Sequence, residues 1–170
     1  MKRCVKVERI IKYLIYLHMK LLSYICISLL LAVNLYNTVS AIKEDEDQAI
    51  KEAVLDYIEG LYYMEPERIE RSIHPDLSKR GLRKTGDDTD YEPHIMSYDI
   101  LLEAAETANI DGRIPDDAPR DIQILDQSDK TASVRLISFW GVEYIQLKKD
   151  NGKWQIIHIL WQSIPEDERE

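Results

Sequence analysis

Residues 121–162 read DIQILDQSDK TASVRLISFW GVEYIQLKKD NGKWQIIHIL WQ, and their spacing decides the fold. Ala132, Val134 and Leu136 alternate with Ser133 and Arg135, the two-residue period of a half-buried strand. Val142, Tyr144, Ile145 and Leu147 form a second run. Asp150-Asn151-Gly152-Lys153 then signals a tight hairpin, because Asn and Gly both accept positive φ. The return run, Trp154 to Trp161, is apolar on both faces. Strict alternation puts Trp154, Ile156, His158 and Leu160 on one side, with Ile157, Ile159 and Trp161 on the other. A sheet wetted on one side would show polar residues there. The sequence therefore predicts a helix over one face of this strand and a partner chain over the other.

Upstream, the period changes from two to three or four. Ile50, Val54, Tyr57, Ile58 and Leu61 mark one face of a helix that Asp47 is placed to cap. Glu65-Pro66 ends it, and Pro66 suits the first turn of a second helix through Ile69 and Ile73. His74-Pro75-Asp76 stops that helix. Ser78 to Tyr91 is polar and reads as a loop, with room for a short strand at Lys79 to Arg83. A third helix, Tyr98 to Ala108, packs through Ile100, Leu101, Ala104, Ala105 and Ala108, and a Gly- and Pro-containing linker leads to the strands. Helices first and strands later predict an α+β fold, with helices on one side of a curved, mostly antiparallel sheet.

The first 41 residues have a different composition. Leu21 to Val33 is an apolar run of 13, broken only by Ser23 and Ser28, with Lys20 before it and Val39-Ser40-Ala41 after it. This is the three-part pattern of a secretory signal, and 13 residues fall short of the ~20 that span a bilayer comfortably. Met19-Lys20 would itself make a start, leaving 1–18 as an over-called extension. Read this way, 1–41 is a leader, 42–47 an acidic linker, 48–163 the domain and 164–170 an acidic tail. The domain is expected to be exported, periplasmic or secreted, and free of the membrane after cleavage. An uncleaved leader would tether it.

Both cysteines, Cys4 and Cys26, lie in the leader, so the remaining chain has no thiol for a disulfide or a metal site. The leader holds six of the 22 Lys/Arg and one of the 31 Asp/Glu. The other 129 residues carry 16 basic against 30 acidic groups, a net of −14. Such a surface repels phosphate backbones and argues against nucleic-acid binding.

The order of elements and several local motifs resemble the nuclear-transport-factor-2-like superfamily, in the branch labelled putative lumazine-binding, close to the SnoaL-like group. The resemblance runs from about Gln48 to Gln162. It rests on Val54-Leu55-Asp56-Tyr57-Ile58-Glu59-Gly60, on His74-Pro75-Asp76-Leu77-Ser78-Lys79-Arg80-Gly81, on Thr131-Ala132-Ser133-Val134-Arg135, and on Asn151-Gly152-Lys153-Trp154-Gln155-Ile156 with Leu160-Trp161. It implies a cone-shaped fold, three helices around a pocket on a bent sheet, and dimerisation through the outer sheet face. One departure stands out: related sequences tend to carry Asp-Tyr-x-His-Leu where this chain has Glu143-Tyr144-Ile145-Gln146-Leu147. An amide at Gln146 has no proton to exchange in place of an imidazole.

Each candidate site has a competing structural role. Asp76 could orient His74 as a general base, or both could finish a helix end. Tyr57 matches a helix tyrosine that supports an oxyanion in the related ketosteroid isomerases, yet a buried tyrosine is more often core. Should His158 face the pocket, it would join Tyr144 and Gln146 as a polar floor. Trp140 would supply an aromatic wall. Among His18, His74, His94 and His158 no spacing resembles a zinc site, and no phosphate loop or nucleophile turn is present.

The leading expectation is an exported, non-catalytic, dimeric domain that needs no cofactor or metal. It would bind a small apolar or aromatic molecule among Tyr57, Trp140, Tyr144, Gln146 and His158, or act as an accessory module. The alternatives are an isomerase, cyclase or hydrolase using His74 or Asp76, and a purely structural dimerisation module.

Overall fold

The computed structural model describes residues 2–85 and 90–164, with side chains described at 16–24 and from 28 onward. Residues 86–89 of the expected polar loop, and 165–170 of the expected acidic tail, lie outside the described residues.

The elements run α1 (Lys2–Tyr62), α2 (Pro66–Ser72), β1 (Ile73–Lys84), β2 (Tyr91–Met96), α3 (Tyr98–Ala105), β3 (Asp121–Gln127), β4 (Thr131–Ile137), β5 (Gly141–Asp150) and β6 (Lys153–Ser163). The chain divides into two compact units, Met1–Asp45 and Glu46–Glu170. The first is helical, and by length and composition it holds a segment apolar enough to cross a membrane. Its described side chains, Leu29 to Leu31 among them, are exposed.

In the second unit the helical positions Ile50, Val54, Tyr57, Ile58 and Leu61 are all buried, as their 3–4 spacing requires. Asp47 does not cap this helix but lies inside α1. The anchoring acid is its neighbour Glu46, which accepts 2.8 Å from Trp154 Nε1 and pairs with Lys149 on the β5–β6 hairpin. The Lys149 bond comes first among the causes that hold the Glu46 carboxyl below its usual range. Gly60 lies where α1 meets α2, and a Cβ there would fall 2.9 Å from Ile69 Cδ1, so the isoleucine would have to shift. Pro66 opens α2, where a missing N–H costs nothing.

The sheet is six-stranded and open, in the order β2-β1-β6-β5-β4-β3. Among the described residues only the β1–β6 pair is parallel. The helices and the inner sheet face share one hydrophobic core. Two features depart from the sequence reading. His74-Pro75-Asp76 lies within β1, directly after the helix that ends at Ser72, and β1 extends well beyond the short strand expected at Lys79 to Arg83, with β2 beginning at Tyr91, the last residue of the expected loop. β2 accommodates Pro93 because it is an edge strand, where a missing ladder donor is tolerated.

The second departure changes the meaning of β6. Its pairing with β5 moves from Gln146↔His158 to Leu147↔Ile156, leaving Ile157 as an extra residue in a bulge. A bulge of one residue reverses which face later side chains take. Trp154 and Ile156 face the core before it, and Ile159 and Trp161 face the core after it, while Leu160 is 53% exposed. The two-faced apolar strand is thus one core face changing parity at a bulge. The predicted partner-facing group of Ile157, Ile159 and Trp161 is corrected accordingly: Ile159 and Trp161 are core residues.

Candidate functional site

Inward parity on β5 buries a carboxylate. Glu143 shares its face with Ile145 and Leu147 and is 1% exposed. A charge so placed needs partners, and three elements supply them. Tyr57 on α1 donates its hydroxyl to Glu143 Oε2 at 2.7 Å. Lys79 on β1, 5% exposed, lies 3.2 Å from the same oxygen and donates to the Tyr57 hydroxyl. Ser138, just before β5, donates 3.1 Å to Glu143 Oε1. Burial, followed by the neighbouring carboxylate, pushes the Tyr57 phenol well above its ordinary range, so it remains a donor at all physiological pH.

Lys79 connects this cluster to a cavity of about 420 Å³. The cavity lies between α3 and the inner faces of β1, β2 and β6; Leu101 and Ala104 line it from the helix, Lys79 and Arg83 from β1, His94 and Met96 from β2. Trp140 and Trp161 provide its aromatic walls. The Lys79 ammonium stands 5.5 Å from the Trp161 ring, and His94 meets that ring edge-on at 5.8 Å. His94 in turn lies 3.0 and 3.1 Å from an Arg83 guanidinium nitrogen. Burial first, then the charges of Arg83 and Lys79, holds the His94 imidazole below its usual pKa, favouring the neutral ring.

Both walls pack against neighbouring groups. Gly81 admits the Trp161 indole, since a Cβ there would fall 2.3 Å from its Nε1. That Nε1 is buried and has no hydrogen-bond partner among the described residues. Trp140 packs on Tyr62 at 5.3 Å, and Tyr62 is fixed by accepting from the Phe139 N–H (2.7 Å) and donating to the Pro119 carbonyl (2.8 Å). Burial pushes the Tyr62 phenol up to about 12.

Of the residues singled out from sequence, the structure brings Trp140 to the cavity and places Tyr57 behind it, bonded to Lys79. Tyr144 and Gln146 lie on the opposite sheet face, directly across from Leu160 and His158. The bulge at Ile157 is the reason: it turns His158 away from the side that Trp154 and Ile156 occupy. His74 and Asp76 do not line the cavity. His74 Nδ1 accepts the Asp76 backbone N–H at 3.1 Å, and the Asp76 side chain is 83% exposed. Lys79, Arg83 and His94 were not assigned to the site from sequence, and Trp161, expected on the partner-facing side of β6, lines the cavity instead. The alternation of Leu77, Lys79, Gly81 and Arg83 carried a signal for the first two, but only once Ser78 to Lys84 is read as strand.

A family model described as "Putative lumazine-binding" matches residues 45–162. The chain belongs to this family. Solved structures place the family's fold among nuclear-transport-factor-2-like proteins. A protein of unknown function from Silicibacter pomeroyi is similar at 12% identity, with a TM-score of 0.54 over 71% of this chain and 98% of its own. One from Shewanella baltica is similar at 19% identity and TM-score 0.53, over 71% and 95%. A protein titled Putative Scytalone Dehydratase from Novosphingobium aromaticivorans is similar at 14% identity and TM-score 0.50, over 77% and 99%. At such identities these likenesses show the fold alone. No curated protein sequence matches at a significant level.

Proposed function

We propose that the domain binds a small, flat, largely apolar molecule in the cavity between Trp140 and Trp161, without transforming it. The carrying observation is an aromatic-walled cavity of about 420 Å³, inside the size range of small-molecule sites, next to polar groups that satisfy one another. The Tyr57 proton is directed at Glu143, the single Ser138 hydroxyl proton lies within reach of both Glu143 Oε1 and the Gly141 carbonyl, and Lys79 is bonded to both Tyr57 and Glu143. A general acid or base needs a proton it can exchange with the ligand; that of Tyr57 points to Glu143 instead, and two of the three Lys79 N–H groups are engaged, leaving one for the cavity it lines. His74 and Asp76 sit away from the cavity, which weighs against the enzyme reading that relied on them.

Two further elements belong to the proposal. The outer sheet face, where Tyr144 (49% exposed) lies opposite Leu160 (53%), is the surface for homodimerisation. Export rests on the apolar run Leu21 to Val33, and N-terminal sequencing of the protein from its native host tests cleavage near Ala41.

Native mass spectrometry of the full chain, purified without unfolding, tests the binding reading. Wild type should retain a small molecule, and Ala104→Trp, which fills the cavity, should lose it while keeping its thermal midpoint. Equal retention by both proteins, or an empty wild type, would refute the reading.

A further inference from the structure

We infer that the molecule bound in this cavity is an anion: an aromatic body carrying a carboxylate or a similar oxyanion, with the charge directed at Arg83. This rests on the binding reading above and specifies its ligand class. Acids outnumber bases in the chain, 31 to 22. The cavity reverses that balance. Lys79, Arg83 and Arg113 line it together with His94, and no carboxylate does among the described residues.

The three cations are not equivalent. Lys79 is matched by Glu143 at 3.2 Å, so its charge is largely answered within the protein. Arg113 lies 3.7 Å from Asp111, but both are 59% exposed, and such a surface pair is weak and screened. Arg83 is different. Among the described residues its guanidinium contacts the His94 ring, an imidazole that burial keeps neutral and that brings no negative charge. A guanidinium is a planar fork suited to two parallel bonds with a carboxylate. Because His94 touches both Arg83 and the Trp161 ring, the cationic rim continues into the aromatic wall. An apolar ring seated at Trp161 would have its substituent at Arg83.

The test is a matched pair of probes, 2-naphthoate and its isosteric amide 2-naphthamide. Each is titrated calorimetrically into the full-length chain in detergent micelles, with protein-free micelles as the blank. The naphthoate should bind at least tenfold more tightly. Arg83→Gln, at an exposed position, should weaken naphthoate binding at least tenfold and the amide by much less. Equal or tighter binding of the amide by wild type would overturn the anion assignment alone. An unchanged naphthoate affinity in Arg83→Gln would overturn the role of Arg83. If neither probe binds, the cavity-binding reading falls, and the ligand class with it.

Discussion

Removing Lys79 is the most informative single perturbation of this fold. Its ammonium is the only cation bonded to Glu143 among the described residues, and Glu143 is 1% exposed. Lys79→Met conserves length and apolar bulk but strands a buried carboxylate with only Tyr57 and Ser138 as donors. Breaking a buried ion pair from one side costs about 3–5 kcal/mol. For a unit of this size that is a fall in the thermal midpoint of roughly 10–20 °C. Glu143→Met should cost less, because Lys79 lines the cavity and can recover water there, whereas Glu143 cannot. The double variant removes both charges and leaves mainly the Tyr57 hydroxyl unpaired, a penalty of about 1–3 kcal/mol. It should therefore be more stable than Lys79→Met alone, with a coupling energy of about 2 kcal/mol or more. Trp140, Trp154 and Trp161 are the chain's three tryptophans and all lie in this unit, so their fluorescence reports its unfolding directly. Additive single-variant effects, with coupling below about 0.5 kcal/mol, would refute the view that Tyr57, Lys79 and Glu143 act as one cluster.

Other consequences follow from single contacts. Gly81→Ala should displace the Trp161 indole and cost about 1–3 kcal/mol, with loss of naphthoate binding; wild-type stability would show that the indole can move freely. Leu160→Glu should shift the protein from dimer to monomer in light scattering while preserving its fold, whereas Ile159→Glu should unfold it; a dimer that survives Leu160→Glu would rule out this sheet face. The His94 imidazole should titrate below 6.5 by NMR. Because its folded pKa is depressed, its contribution to stability is complete above about pH 6.5 and is lost as pH falls through the folded value. His94→Gln should flatten that acid-side slope, and an unchanged slope would count against burial as the cause.

Much of the fold was legible because its signals are local. The Asn151-Gly152 turn, with Asn151 at φ 49° and Gly152 at φ 83°, forms as its residues dictate. The helix face from Ile50 to Leu61 is buried as its period predicts. The site was less legible, because parity propagates error. One extra residue at Ile157 turned His158 outward and Ile159 inward, and no propensity in an apolar run marks where a bulge falls. Lys79 stood in a polar stretch with room for a short strand, but its partners, Tyr57 and Glu143, are 22 and 64 residues away, a separation that only the tertiary fold closes. Arg83 and His94 meet through the β1–β2 pairing, which is a tertiary contact.

The most direct test of the binding account is a crystal structure of the full chain grown with 2-naphthoate. The account predicts the naphthalene between Trp140 and Trp161, with the carboxylate on Arg83. Density on the outer face beside Tyr144 and His158, with the cavity left to solvent, would contradict it.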